Sequence, residues 1–136
     1  MDGCKYVGKV LVECLDKTKT DIQLKEGTTM IAEASLEGTR INNLDFLQGV
    51  KVIGDRAFEN CSNLVFANIP EGVEYLGKDV FSSCQNLRKI YLPESVKFVS
   101  IEVFGLGMFD HYKNISLPSH LNGKFVYHGK AKIRFY

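Results

Sequence analysis

The amino-acid sequence predicts a repeat solenoid of about four rungs, made mainly of short β-strands joined by turns or short helical turns. The first observation behind this prediction is a unit of 23 residues that occurs twice in the middle of the chain. After a shift of 23, Phe58 superposes on Phe81 and Cys61 superposes on Cys84. One such unit cannot bury its own apolar edge, whereas stacked units bury a continuous core.

The second observation is the spacing inside one unit. Apolar side chains alternate with polar ones at Ile90 and Leu92, which is the period of a half-buried strand. Pro93 ends this strand because proline has no N–H to donate to the ladder. A second short apolar pattern, Val96 and Val99, then precedes a compact turn, which is interpreted as one bent turn of helix or as irregular coil.

The third observation is an apolar residue at the same place in each compact turn. Phe58, Phe81 and Phe104 are spaced 23 residues apart, and Leu36 occupies the corresponding position upstream. Equivalent side chains of stacked rungs form ladders, with neighbouring strands about 4.7–4.9 Å apart. These four residues are therefore predicted to form a buried spine, with Leu36 capping it at the N-terminal side.

The whole chain, residues 1–136, is predicted to be one domain with a cap at each end. Residues 1–21 form the N-terminal cap or hairpin, and residues 22–118 hold the repeats, of which the first is one residue short and the last is truncated. Residues 119–136 alternate on both sides of His128–Gly129, which predicts a C-terminal β-hairpin. This hairpin would cover the edge of the last rung, which otherwise invites pairing with another chain.

The central copies resemble a known family. Their pattern, L-x-x-I-x-L-P-x-x-V-x-x-I-G-x-x-A-F-x-x-C-x-x-L, is similar to the BspA-like leucine-rich repeat, also called the Treponema pallidum type. The resemblance covers roughly residues 7–118 and implies a solenoid of the leucine-rich-repeat type, entered through a short hairpin. The family is associated with bacterial and protozoan surface proteins that bind host or partner proteins. Residues 34–38 and 105–108 depart from the pattern, as terminal repeats do.

The strand face of the solenoid is the candidate binding surface. Side chains that flank the two buried positions of each strand point outward, and stacking brings them into adjacent rows. Phe66, Lys89 and Tyr91 are predicted to cluster, and partner interfaces are enriched in exposed aromatic anchors of this kind. The alternative is that they are ordinary surface residues. The full predicted set is Asp45, Phe66, Asn68, Lys89, Tyr91 and Ser116.

No pattern in the sequence indicates catalysis, a cofactor or a metal site. His111, His120 and His128 lie in the last quarter of the chain, but none has another ligand at the i+3 or i+4 position. No nucleophile motif and no glycine-rich phosphate loop is present. We therefore expect a non-catalytic protein-interaction module that needs no cofactor.

Three alternative functions remain open. Self-association is the first, since the exposed ends or the C-terminal hairpin could form a homodimer. Nucleic-acid binding is the second, because basic residues are interleaved with aromatic ones near the C-terminus, namely Lys124, Lys130, Lys132 and Arg134 with Phe125, Tyr127, Phe135 and Tyr136. The chain has 17 basic and 16 acidic residues, a formal charge of +1, and this balance disfavours the nucleic-acid alternative. Binding of a small ligand is the third.

The four cysteines show no zinc-binding spacing. Cys61 and Cys84 occupy the same place in successive rungs, so they could form a disulfide or pack as two buried thiols. The N-terminal segment has neither a signal-peptide pattern nor a membrane-spanning run. As written, the chain is expected in the cytoplasm, where thiols stay reduced. A cell-surface or secreted location is expected instead if the chain is a piece of a longer family member.

Overall fold

The computed structural model describes residues 3–100, 114–123 and 132–136. It is a β-solenoid of about four turns with nearly no helix, which confirms the predicted fold class. Two short 3-10 helices lie at Asp45–Leu47 and Ser119–Leu121. The strands are β1 (Cys4–Val7), β2 (Val10–Cys14), β3 (Met30–Ile31), β4 (Val52–Ile53), β5 (Phe66–Asn68), β6 (Tyr75–Leu76), β7 (Lys89–Tyr91), β8 (Phe98–Val99), β9 (Asn114–Leu117) and β10 (Lys132–Phe135).

The first sheet has the strand order β1-β2-β3-β4-β6-β8. β1 and β2 form an antiparallel hairpin, and the strands from β2 to β8 pair in parallel. Each of these parallel strands contributes one inward side chain, and the register aligns them into a single buried ladder. The members of this ladder are Leu11, Ile31, Ile53, Leu76 and Val99.

The second sheet has the strand order β10-β9-β7-β5, and all its strands are parallel. Its inward ladder consists of Ala67, Ile90 and Ile115, all buried, with Ile133 packed against the core at the end. β10 therefore extends the last rung as a parallel strand. The other arm of the predicted C-terminal hairpin falls on residues 124–131, which lie outside the described residues.

The compact turns stack into a third column that contains the spine. Leu36, Phe58 and Phe81 are fully buried. The rings of Phe58 and Phe81 are nearly parallel, with centroids 6.0 Å apart and planes 11° apart. The Phe58 N–H donates to the Val80 carbonyl of the next rung at 3.1 Å, so backbone and side chains stack together. Phe104, the predicted fourth member, lies outside the described residues.

The turns repeat an uncommon backbone conformation. Ala34, Arg56 and Asp79 occupy the same place in successive turns, and their φ angles are 53°, 56° and 53°. Positive φ is uncommon for residues other than glycine. It is offset here because the N–H groups of Ala34 and Arg56 each donate to a carbonyl of the next rung at 2.9 Å. The repeat therefore imposes a backbone geometry on three different side chains.

Gly54 and Gly77 set how closely the rungs approach. Each follows a first-sheet strand, at the start of the compact turn. A Cβ on Gly54 would lie 2.9 Å from the Glu33 nitrogen, and one on Gly77 would lie 2.7 Å from the Asp55 nitrogen. Real Cβ atoms do not approach backbone this closely, so glycine is required here for packing.

Cys61 and Cys84 are two buried thiols that are not joined by a disulfide, which resolves the two alternatives left open by the sequence. The Cys61 Sγ donates to the Leu36 carbonyl at 3.3 Å, and the Cys84 Sγ donates to the Phe58 carbonyl at 3.1 Å. Each thiol thus satisfies a spine carbonyl. Burial raises the pKa of Cys61 to about 11 and the pKa of Cys84 to about 12.

A disulfide joins Cys4 and Cys14 across the β1–β2 hairpin. This bond is a correction, because the sequence suggested a possible bridge only between Cys61 and Cys84 and cysteine usage that fits a reducing compartment. The two residues oppose each other because the hairpin register shifts between Lys5 and Tyr6. Such a bulge inserts one unpaired residue and changes which residues face each other. Alternation along the sequence does not specify that shift.

Candidate interaction surface

The outer side of the second sheet carries two rows of side chains. In the first row, Phe66, Lys89 and Asn114 lie next to one another on β5, β7 and β9. In the second row, residues of all four strands are in register, and these are Asn68, Tyr91, Ser116 and Arg134. We call these seven residues the second-sheet face. It includes five of the six residues predicted from the sequence.

Phe66 and Lys89 are direct neighbours at the start of this face. Phe66 is 46% exposed, whereas the adjacent Ala67 is fully buried. The Lys89 side chain is also exposed. Side chains of a strand point to opposite sides in turn. The inward residues therefore hold the strand, and the outward pair is left free to contact another molecule.

Tyr91, in the second row of the second-sheet face, forms a stacked pair with Tyr136. The rings of Tyr91 and Tyr136 are 5.4 Å apart at their centroids and 8° from parallel. The Tyr136 hydroxyl donates to the Leu92 carbonyl, which fixes the C-terminal residue against β7. Burial, with a hydrogen bond to Tyr91, raises the pKa of the Tyr136 phenol above its ordinary value. The pair is thus a fixed aromatic ridge.

A shallow depression of about 460 Å³ opens on the second-sheet face. Ile115, which is fully buried, belongs to its lining. The polar lining residues are Lys89, Asn114, Ser116 and Arg134. All four side chains can donate hydrogen bonds, and two of them are cationic. The depression therefore presents donors and positive charge to whatever enters it.

The cations of the depression are not neutralised within the described part of the chain. The ion pairs there join Lys5 to Glu13, Arg56 to Glu33, Lys97 to Glu74 and His120 to Glu94. None of these pairs includes Lys89 or Arg134. Arg134, one of the basic residues behind the nucleic-acid alternative, lies beside Ser116 because β10 pairs in parallel with β9.

Asp45 is the predicted site residue that the structure places elsewhere. It begins a 3-10 helix and does not belong to a strand of the second sheet. The physical reason is local, because the Asp45 N–H donates to the side-chain Oδ1 of Asn43 at 3.0 Å. Such a bond offers the backbone an alternative to the sheet ladder. Asp45 is therefore exposed but outside the rows of the second-sheet face.

The first sheet carries a different outer row, which the sequence analysis missed. Its members are in register on five strands, and we call them the first-sheet row: Val10, Met30, Val52, Tyr75 and Phe98. Tyr75 and Phe98 are 38% and 52% exposed, and their rings stack with centroids 5.0 Å apart. The sequence pattern that predicts this row is an apolar residue immediately before the inward residue of each parallel first-sheet strand.

Two other kinds of site have less support. A larger pocket of about 620 Å³ lies beside the N-terminal hairpin, but it gathers no repeated set of side chains; its described lining is Cys4, Tyr6, Lys19, Asp21, Ile22, Gln23 and Lys25. Among residues 3–100, 114–123 and 132–136, no group of three His, Cys, Asp or Glu side chains is arranged to hold a metal ion. His111 and His128 lie outside these ranges.

Membrane insertion was not expected from the sequence. In the ranges that the structure describes, no helix has the length and apolar character needed to cross a bilayer.

Comparison with known proteins gives matches of two kinds, a family and solved structures. The family described as the BspA type leucine rich repeat region (6 copies) matches residues 13–107. A crystal structure of a leucine rich cell surface protein from Faecalibacterium prausnitzii superposes with a TM-score of 0.69 at 19% sequence identity. That match covers 93% of this chain and 35% of the other, so this chain spans about a third of that protein. No curated protein matches the chain.

Proposed function

Since the chain belongs to the BspA-type leucine-rich repeat family, we propose that it is a non-catalytic module that recognises a partner protein through the second-sheet face. Repeat solenoids offer extended surfaces on a rigid scaffold, and partners bind to those surfaces. The inward ladders pack the core of the scaffold, so the side chains of the outward rows are not constrained by that packing. Recognition by this particular face, and the identity of the partner, belong to the proposal.

The observation that carries the proposal is the pairing of exposed Phe66 with Lys89 beside the stacked Tyr91–Tyr136 ridge. Aromatic anchors held in fixed positions contribute a large contact area and lose little conformational entropy on binding. The parallel strands below hold these side chains in register. A partner that covers Phe66 would remove a large exposed apolar group from water, which favours association.

Two further observations support action outside the cytoplasm. Disulfides persist in oxidising environments, and the N-terminal hairpin holds one between Cys4 and Cys14. The structurally similar protein from Faecalibacterium prausnitzii is described as a cell surface protein. We accordingly place the proposed recognition on the cell surface or in the extracellular space.

The test is an affinity capture with three forms of the full chain, followed by binding measurements on each purified partner. The forms are wild type, Phe66→Ala/Tyr91→Ala, and the matched control Tyr75→Ala/Phe98→Ala, which removes two exposed aromatic rings from the first sheet. We expect the first double variant to weaken binding at least tenfold and the control to leave it within twofold. The opposite result would assign recognition to the first-sheet row and remove the second-sheet face from consideration.

A homodimer is the second candidate function, and the first-sheet row favours it. Neighbouring apolar side chains on an outer sheet surface are a feature of surfaces that become covered. Analytical ultracentrifugation over a hundredfold concentration range separates the two candidates. Self-association that Phe98→Ser abolishes would support the dimer, whereas a monomer at every concentration would exclude it.

A further inference from the structure

The chemistry of the second-sheet face indicates more than general recognition. We propose that it binds an extended, acidic peptide segment of its partner, with Asp or Glu carboxylates held by Lys89 and Arg134 and an apolar residue against Phe66. This inference rests on the proposed function, because it names the class of ligand for the same surface.

The polar side chains that line the depression can all donate hydrogen bonds. They are the ammonium of Lys89, the guanidinium of Arg134, the amide of Asn114 and the hydroxyl of Ser116. Among the residues that the structure describes, no Asp or Glu belongs to that lining. A carboxylate is acceptor-only and pairs well with the planar fork of arginine and with the lysine ammonium. An anionic group is therefore the complement of this depression.

The positive charge of the depression is not neutralised by a neighbouring carboxylate, because across the described ranges Lys89 and Arg134 take part in no ion pair. Two carboxylates that follow the second-sheet strands are engaged elsewhere: Glu71 accepts the Glu94 N–H at 3.2 Å, and the Glu94 carboxylate lies 3.5 Å from the His120 Nδ1. The depression is thus locally positive on a chain whose formal charge is only +1, and such a patch attracts acidic partners.

The two cations are separated by a distance that one extended peptide can span. Lys89 lies on β7 and Arg134 on β10, which are two strands apart in the sheet order. Two strand spacings correspond to about 9–10 Å, and the two rows lie two residues, about 6.6 Å, apart along the strands, so the two backbone positions are separated by about 12 Å. An extended peptide advances about 3.3 Å per residue, so carboxylates about three or four residues apart match this separation. A single extended segment can therefore contact both cations.

The aromatic neighbours select a peptide over a polyanion. Phe66 borders Lys89 on one side, and the Tyr91–Tyr136 stack lies in the row of Arg134. A ligand that covers these rings needs apolar side chains between its charges. Nucleic acids and sulfated polysaccharides bind along continuous basic tracks with many contacts. On the second-sheet face, Lys89 and Arg134 are set among aromatic rings, a pattern that fits an acidic and apolar protein segment.

The experiment is a selection of displayed random peptides on the full chain with its disulfide intact. We expect enriched sequences that carry Asp or Glu together with an aromatic or aliphatic residue. Synthetic copies of these peptides, labelled with a fluorophore, should bind with an affinity that falls as salt increases. Lys89→Gln/Arg134→Gln should weaken their binding at least tenfold. The matched control Arg40→Gln/Lys78→Gln, which removes one arginine and one lysine elsewhere, should change it less than twofold.

The possible outcomes separate this inference from the proposed function. Enriched peptides that lack acidic residues but lose affinity with Phe66→Ala would overturn the acidic-ligand inference and leave the proposed function standing. Peptides that are indifferent to every variant of the second-sheet face would overturn both. Heparin binding that depends on Lys89 and Arg134, without any binding of acidic peptides, would replace the peptide with a polyanion. Circular dichroism melts of each variant establish that the fold is intact.

Discussion

The two sheets of this solenoid cross the same rungs, and their inner sides are alike while their outer sides differ. Inside, each sheet presents a ladder of aliphatic side chains that is buried up to Ile133 at the end of the second sheet, with Ile53 and Ile90 as typical members. Outside, the first sheet carries an apolar row that ends in the stacked Tyr75 and Phe98. The second sheet carries amide, hydroxyl, cationic and aromatic groups around an open depression.

The two sheets also end differently. The first sheet begins with an antiparallel hairpin that a disulfide closes, and the second sheet ends with a parallel strand contributed by the last residues of the chain. The repeat therefore constrains the inner side of both sheets and leaves the outer sides and the ends free to vary. Features specific to this protein should be sought outside the ladders.

The largest effect is expected from the spine, which lies in the interior that both sheets share. Phe81→Ala leaves a cavity in the stack and should lower the free energy of unfolding by about 3–5 kcal/mol. Chemical denaturation with segment-resolved hydrogen exchange measures this. Both sheets should lose protection together. If the second sheet kept its protection while the first lost it, the two sheets would not share one core.

The second effect concerns the two buried thiols, Cys61 and Cys84, which lie in the interior that both sheets share. Their pKa values are raised from 9.0 to about 11 and about 12 by burial, so the folded state holds these protons more tightly than the unfolded state. Stability from this source is fully present below pH 9 and is lost as the pH rises above it. Between pH 8 and pH 10, wild type should lose about 2–3 kcal/mol more than Cys61→Ala/Cys84→Ala does. Parallel pH profiles in denaturant titrations would contradict this.

The third effect is confined to the end of the first sheet. Reduction of the Cys4–Cys14 bond, or the Cys4→Ser/Cys14→Ser variant, should cost about 2–3 kcal/mol by the chain-entropy argument for a loop of this size. Hydrogen exchange should increase in β1 and β2 first, whereas β7 and β9 should keep their protection until global unfolding. Equal early exchange in both sheets would show that the hairpin supports the whole solenoid.

The fourth effect is a gain in stability at the first rung. Ser35 occupies the place that Ala57 and Val80 hold in later turns, and its buried Oγ lacks a hydrogen-bond partner in the described part of the chain. A buried hydroxyl without a partner is unfavourable. Ser35→Ala should raise the free energy of unfolding by about 1 kcal/mol, measured by urea titration. A loss of stability would indicate that the hydroxyl has a partner after all.

The smallest effects are expected on the two outer surfaces. A double-mutant cycle on Tyr75 and Phe98 should give a coupling of about 0.5–1.5 kcal/mol, since aromatic stacking contributes beyond area burial. Lys89→Gln on the second sheet should change stability by less than about 0.5 kcal/mol. Thermal denaturation measures both. A large loss from Lys89→Gln would mean that the second-sheet face serves the fold, and the proposed function would lose its basis.

Much of the fold could be predicted because it depends on a period. The repeat of 23 residues places Phe58 over Phe81, and both are buried and stacked as expected. The candidate surface followed from the same period, since Phe66 and Lys89 are 23 residues apart and lie side by side. Asp45 has the same spacing from Asn68, but its N–H donates a local hydrogen bond to the Asn43 side chain, and it lies in a 3-10 helix.

The sequence by itself determined which side chains face inward, because alternation and period are local properties that stacking only repeats. The tertiary structure alone decided which distant segments meet. A bulge in the hairpin set Cys4 opposite Cys14, and the parallel docking of β10 brought Arg134 to the depression beside Ser116. These pairings depend on register between segments outside the repeat, where no period relates one residue to another. The physical reason is that a one-residue shift in register changes which side chains meet.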